Sequence, residues 1–157
     1  MARPAHGRPA LWTEIAERYE RAFGERLQGL AAFGSRARGS AREDSDHDIL
    51  LVAAGLPATP FERAREIRAP LRGLHREKIQ VLARTPQAFL ADVTPLHLDL
   101  ALDAIVLAER DGFLTTHLAR LRELINQAGL YRAPSLFWRW KQPPRKDWAI
   151  TWDGVRV

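Results

Sequence analysis

Two short apolar runs, Leu27-Gln28-Gly29-Leu30-Ala31-Ala32-Phe33 and Ile49-Leu50-Leu51-Val52, flank a polar stretch rich in arginine, glycine and aspartate, and this pairing constrains the fold more than any other feature. Short, mostly aliphatic runs that stop at turn residues read as buried strands. The first stops at Gly34-Ser35, where glycine lets backbone approach a ligand and the serine hydroxyl can bond a phosphate oxygen or cap a short following helix. The second is entered through Asp46-His47-Asp48. Residues two apart on a strand share a face, so the two carboxylates are expected side by side and His47 on the opposite face. Adjacent carboxylates without basic partners repel each other unless a cation lies between them. Magnesium suits such a pair, because it takes hard oxygen ligands and is commonly held by one or two carboxylates plus substrate phosphates. Taken alone, an Asp-x-Asp is more often a solvated strand end, and a Gly-Ser an ordinary turn.

The combination is more specific than its parts. Gly34-Ser35, ten intervening residues that include Arg36-Ala37-Arg38-Gly39, then Asp46-x-Asp48 and an aliphatic strand resemble the minimal nucleotidyltransferases of the DNA polymerase beta-like superfamily. The resemblance implies an α/β fold, a polymerase-beta-like nucleotidyltransferase core of mixed sheet flanked by helices, with a helical C-terminal extension. It implies that Gly34 and Ser35 hold the triphosphate, that Asp46 and Asp48 are the catalytic carboxylates and bind Mg2+ or Mn2+, and that Arg36, Arg38 and Arg42 balance charge on the nucleotide. The implied chemistry is in-line attack on the α-phosphate of a nucleoside triphosphate, ATP foremost, with transfer of a nucleoside monophosphate to an acceptor that the sequence does not name and release of pyrophosphate.

Family members usually carry a third carboxylate in an apolar-Asp-apolar strand just before a Thr-Pro helix start. Here the matching stretch is Ile79-Gln80-Val81 before Thr85-Pro86, so Gln80 takes that place. A neutral amide binds magnesium more weakly than a carboxylate and cannot take a proton from the nucleophile. Glu77 is an odd number of residues away, hence on the other face of a regular strand unless a bulge intervenes. Two readings therefore stand: a working nucleotidyltransferase, or a weakened, nucleotide-binding, antitoxin-like member that acts by binding a HEPN-type toxin or another protein partner. The resemblance covers residues 11–92 well and the rest loosely.

The remainder of the chain is consistent with one globular domain of 157 residues, 46% hydrophobic and 27% charged. No apolar stretch reaches membrane-spanning length and the start lacks a secretory segment, so a cytoplasmic protein without membrane attachment is expected. The absence of cysteine excludes disulfides, thiolate-bound metals and a cysteine nucleophile. A net charge of +5, mostly from arginine, suits an anionic partner, whether nucleotide, nucleic acid or acidic protein surface, without choosing among them; homo-oligomerisation is equally open.

Along the chain, residues 1–10 read as a flexible arm and 11–92 as the nucleotidyltransferase core. Trp12, Ile15, Ala16, Tyr19, Ala22 and Phe23 predict an amphipathic helix ending near Gly24. Thr59-Pro60-Phe61-Glu62 reads as a capping box opening a helix that runs toward Pro70, residues 78–82 as a third strand, and Thr85-Pro86 and Thr94-Pro95 as further helix starts. The second leads into an apolar-rich segment, 96–108, and a last helix spans about 113–127 before Gly129, so 93–130 is read as C-terminal helices packed on the core. Residues 131–157 form a basic tail holding four of the five tryptophans. These could stack bases, but the alternation of Trp148, Ile150 and Trp152, with a turn at Asp153-Gly154, favours strands covering a core face. His6, His47, His75, His97 and His117 show no helical metal-ligand pairing. Asp99 and Asp103, four apart on one helix face, read as solvated or salt-bridged, and Ser40 and Ser45 sit in no nucleophile motif.

Overall fold

Helix α1 (Pro9–Phe23) buries Leu11, Trp12, Ile15, Ala16, Tyr19 and Phe23 along one side, opens with proline in its first turn and ends at Gly24, whose φ of +53° a side chain would resist. The computed structural model describes residues 8–157. Pro9 and Ala10, expected in the arm, are helical because proline is pre-set for a first turn, and Arg8 is their N-cap; residues 1–7 of that arm, with His6, lie outside the described residues.

After α1 come β1 (Leu27–Phe33), the short α2 (Gly34–Arg38), β2 (His47–Ala53), α3 (Pro60–Arg68), β3 (Ile79–Arg84), α4 (Pro86–Phe89), α5 (Pro95–Asp103), β4 (Ile105–Glu109) and α6 (Phe113–Ala128). The sheet order is β3-β2-β1-β4, with β2 and β3 parallel and β1 antiparallel to both its neighbours. This is the expected mixed sheet flanked by helices. One face carries Ile49, Leu51 and Ala53 against α1 and α3; the other carries Leu50 and Val52 against α5 and α6. In β1 the register slips between Leu27 and Gly29, a bulge that puts Leu27 and Leu30 on the same α1 face although they are three residues apart. At Gly29 a Cβ would lie 2.4 Å from Leu114 Cγ, so the missing side chain is what lets α6 close onto β1.

The segment 96–108 is not wholly helical. α5 stops at Asp103, and Ile105–Glu109 enters the sheet as an edge strand beside β1, so a core strand lies within the stretch read as C-terminal helices. The Thr59 hydroxyl donates to the Glu62 carboxylate at 2.8 Å, and no side chain caps the backbone there, in contrast to the expected capping box. The tail is two ribbons, β5 (Leu130–Arg132) with β6 (Trp138–Trp140) and β7 (Ala149–Thr151) with β8 (Gly154–Arg156). Trp138, Trp140, Ile150 and Trp152 pack on the α5–α6 side as the core reading expects, whereas Trp148 is 49% exposed beside Trp140.

Candidate active site

The end of β1 and the start of β2 meet because Phe33 pairs with Asp48 across the antiparallel ladder. Gly34, at φ +73°, then turns the chain into α2 directly against the Asp48 side chain; a Cβ there would lie 2.2 Å from Asp48 Oδ2. Only glycine satisfies both the backbone angle and the approach. Ser35 follows in the first turn of α2, half-buried, with its carbonyl accepting the Ser40 N–H at 3.0 Å.

The period of β2 sorts its side chains as expected. Asp48 lies on the α5–α6 side with Leu50 and Val52, while His47 turns to α1, where its Nδ1 accepts the Trp12 Nε1–H at 3.1 Å. Burial pushes the Asp48 carboxyl above its ordinary value, the charge of exposed Asp46 adds to the effect, and Arg38 partly offsets it. Among the described residues neither Asp46 nor Asp48 is in an ion pair.

The chemistry of this donor set fits a magnesium ion. Two neighbouring carboxylates, one of them strained toward its neutral form by burial and like charge, are relieved by a cation. Among the described residues no group of three or more acidic or imidazole side chains could hold a metal by itself, so phosphate oxygens and water would have to complete the shell, as magnesium permits. Gln80 pairs with Asp48 in the parallel register, hence stands beside it on the same face, exposed, where the resemblance implies a third carboxylate. Glu77 does not replace it: its carboxylate is bonded to Arg8, on the His47 side.

The three arginines separate. Arg38 Nη1 donates to Asp103 Oδ2 at 3.2 Å and remains close enough to Asp48 to favour its charged form. Arg36 turns to the His47 side and donates to Ser45 O at 2.9 Å and Glu43 O at 3.0 Å, pinning the loop that carries Asp46. Arg42 is exposed, and its N–H donates to Ser45 Oγ at 2.8 Å. The structure thus gathers Gly34, Ser35, Arg38 and Asp48, with Asp46 beside them, and leaves the Arg36 side chain, from α2, bonded to the supporting loop and Arg42 within that loop.

Sequence reasoning missed the support behind Arg38. Asp103 is held by both Arg132 nitrogens, at 2.7 and 2.6 Å, and Asp99 accepts from Arg132 at 3.2 Å and from Trp138 Nε1 at 2.9 Å. The one signal was the Asp99-Asp103 spacing, which showed a shared face but not the partner arriving from β5.

Residues 12–111 match the family model described as the nucleotidyltransferase domain, and since that is more than half of the chain, the protein belongs to the nucleotidyltransferase family. A relative in Methanocaldococcus jannaschii, MJ1305, assigned by inference as a protein adenylyltransferase, is 29% identical over 118 residues, spanning 73% of this chain and 80% of its own. In solved structures, a chain of a toxin–antitoxin with AMP-PNP aligns with a TM-score of 0.53 at 16% identity, covering 73% of this chain and 86% of that one. A chain of a mutant MntA–HpeT toxin–antitoxin aligns with a TM-score of 0.52 at 15% identity over the same shares. The two structural likenesses establish the fold.

Proposed function

We propose that the protein transfers the nucleoside monophosphate of a magnesium-bound nucleoside triphosphate, ATP foremost, to a hydroxyl of an acceptor protein and releases pyrophosphate. The observation that carries this reading is the contact of the Gly34 turn with Asp48, which sets a backbone approach for phosphates against a carboxylate pair that wants a cation. The relative named as a protein adenylyltransferase supports the choice of AMP and of a protein acceptor. Bound there, Mg2+ or Mn2+ would screen the charge of the phosphates. Gly34 and Ser35 seat the triphosphate, Asp46 and Asp48 hold the ion, and Arg38 adds positive charge beside them. The acceptor oxygen forms a bond to the α-phosphorus as the bond to the bridging oxygen breaks, and the electron pair leaves with pyrophosphate. Gln80 has no basic atom, so the acceptor's proton passes to water or to a group of the acceptor itself.

Calorimetric titration of the full chain with each nucleoside triphosphate tests the site, with and without magnesium. Magnesium-dependent binding is expected for the parent and its loss for Asp46→Asn combined with Asp48→Asn, with the circular dichroism of the fold unchanged. Equal affinity in that variant would sink the assignment.

A second reading is favoured by Gln80 alone: a site that binds the nucleotide without efficient turnover and acts through a toxin-like protein partner, as toxin–antitoxin chains of this fold suggest. Magnesium-dependent binding without label transfer from α-labelled ATP to any co-purified protein would select it.

A further inference from the structure

The β5–β6 ribbon turns one face inward and one outward. On the inner face Arg132 holds Asp103, and Trp138 and Trp140 pack on the α5–α6 side. The outer face follows from the period of two: Tyr131 pairs with Arg139, and Phe137 and Lys141 are its diagonal neighbours on the same side. The ladder runs on past both ends of β6, since Ala133 N–H donates to Phe137 O at 2.9 Å and Lys141 N–H to Gly129 O at 2.8 Å. All four outer side chains are exposed, the Phe137 ring most openly at 70%.

The charge of the chain is concentrated in the same segment. Residues 131–157 hold six basic and two acidic side chains, so +4 of the formal net charge of +5 falls there. Arg132 is matched by Asp103 and Asp99, and Asp147 takes both Arg145 and Arg156, at 3.1 and 3.6 Å. The side chains of Arg139, Lys141 and Lys146 have no hydrogen-bond or ion-pair partner among the described residues. Asp153, the other acid of the segment, is exposed in the turn between β7 and β8, on the second ribbon. An acidic protein surface would answer these charges and leave the two exposed rings without flat partners. A single strand of nucleic acid brings one phosphate and one flat base at every residue, which answers both the cations and the rings on this face. In a duplex the bases stack on one another and cannot reach the rings.

We propose that the outer face of the β5–β6 ribbon binds a single strand of nucleic acid, its bases stacking on Tyr131 and Phe137 and its phosphates meeting Arg139 and Lys141. The surface lies across the ribbon from the side that holds Asp103, and it does not rest on either reading of the Gly34–Asp48 site.

The test is fluorescence anisotropy of the full chain with a labelled single strand of about twelve nucleotides, a length within the span of such surfaces. EDTA is present, so that no divalent ion supports binding at Asp46 and Asp48. Binding is expected to weaken with salt, and Arg139→Ser combined with Lys141→Ser should flatten the log–log salt slope by about 1.4, the share of two phosphate contacts on a single strand. Tyr131→Ser combined with Phe137→Ser should lower affinity by roughly tenfold or more with the slope unchanged. Because all four positions are exposed, the near-ultraviolet circular dichroism of the tryptophans should match the parent in both variants. An aromatic variant that binds like the parent overturns the proposal. So does a duplex of the same sequence, or polyglutamate, bound as tightly as the single strand, since the face would then be a general surface for anions.

Discussion

Gln80 faces the solvent beside Asp48, an amide in line with a carboxylate on the next parallel strand. Under the transferase reading this position limits proton removal from the acceptor, and Gln80→Asp would restore a basic oxygen at the same reach. Transfer of label from α-labelled ATP is expected to rise by about 10²-fold, the scale of general-base assistance. An unchanged rate would place acceptor activation elsewhere. At this scale the sequence was legible wherever the strand period decides the outcome: His47 turned away from Asp48, Glu77 away from Gln80, and Gly34 into a turn. It was not legible for Arg36 and Arg38. Both lie on five-residue α2, and the reach of a long side chain depends on loops and helices, here residues 43–45 and Asp103, that no local spacing describes.

Among the elements, β4 shows where periodicity runs out. Ile105-Val106-Leu107-Ala108 follows α5 with only Ala104 between, and no glycine or proline marks the change. A four-residue apolar run fits helix or strand equally well, and pairing with β1 settles it. The start of α5 was legible from Thr94-Pro95, but its fastening was not. His97 Nδ1 accepts the Thr94 N–H at 3.1 Å while Nε2 donates to Phe89 O at 2.7 Å, so the neutral ring ties α5 to α4. Burial, against the partial opposition of the Phe89 carbonyl, lowers the His97 pKa below its ordinary 6.5. The unfolded chain therefore takes up this proton first as pH falls. The stability that His97 contributes is complete above about pH 6.5 and is lost as pH drops toward the folded-state value. Urea unfolding at pH 7.5 and pH 5 should show lower stability at pH 5, and His97→Gln should narrow the gap without closing it, since buried His47 titrates with the same sign. A gap of full width in the variant would remove His97 from this role.

For the molecule as a whole, the C-terminal ribbons are part of the core and not an appendage. Asp103, buried in α5, is shared by Arg38 from α2 and Arg132 from β5, and Trp138 binds the neighbouring Asp99. Removing one member of a buried pair leaves an uncompensated charge, which costs about 3–5 kcal/mol when no other partner remains. With Arg38 still present, Arg132→Ala is expected to cost about 2–3 kcal/mol in denaturant unfolding, on the same scale. A loss below about 0.5 kcal/mol, typical of a surface pair, would show that the network does not bind the ribbon to the core. None of this was legible beforehand, because the partners lie 29 and 65 residues from Asp103 in the chain. The same arrangement sets an order of events during synthesis. Arg38 emerges early, but the carboxylate that steadies it is not fully matched until Arg132 has left the ribosome, some hundred residues of translation later. The nascent sheet can therefore form well before the arginine beside Asp48 is fixed, and a chain interrupted between α5 and β5 would carry the whole signature stretch with Arg38 not yet held in place.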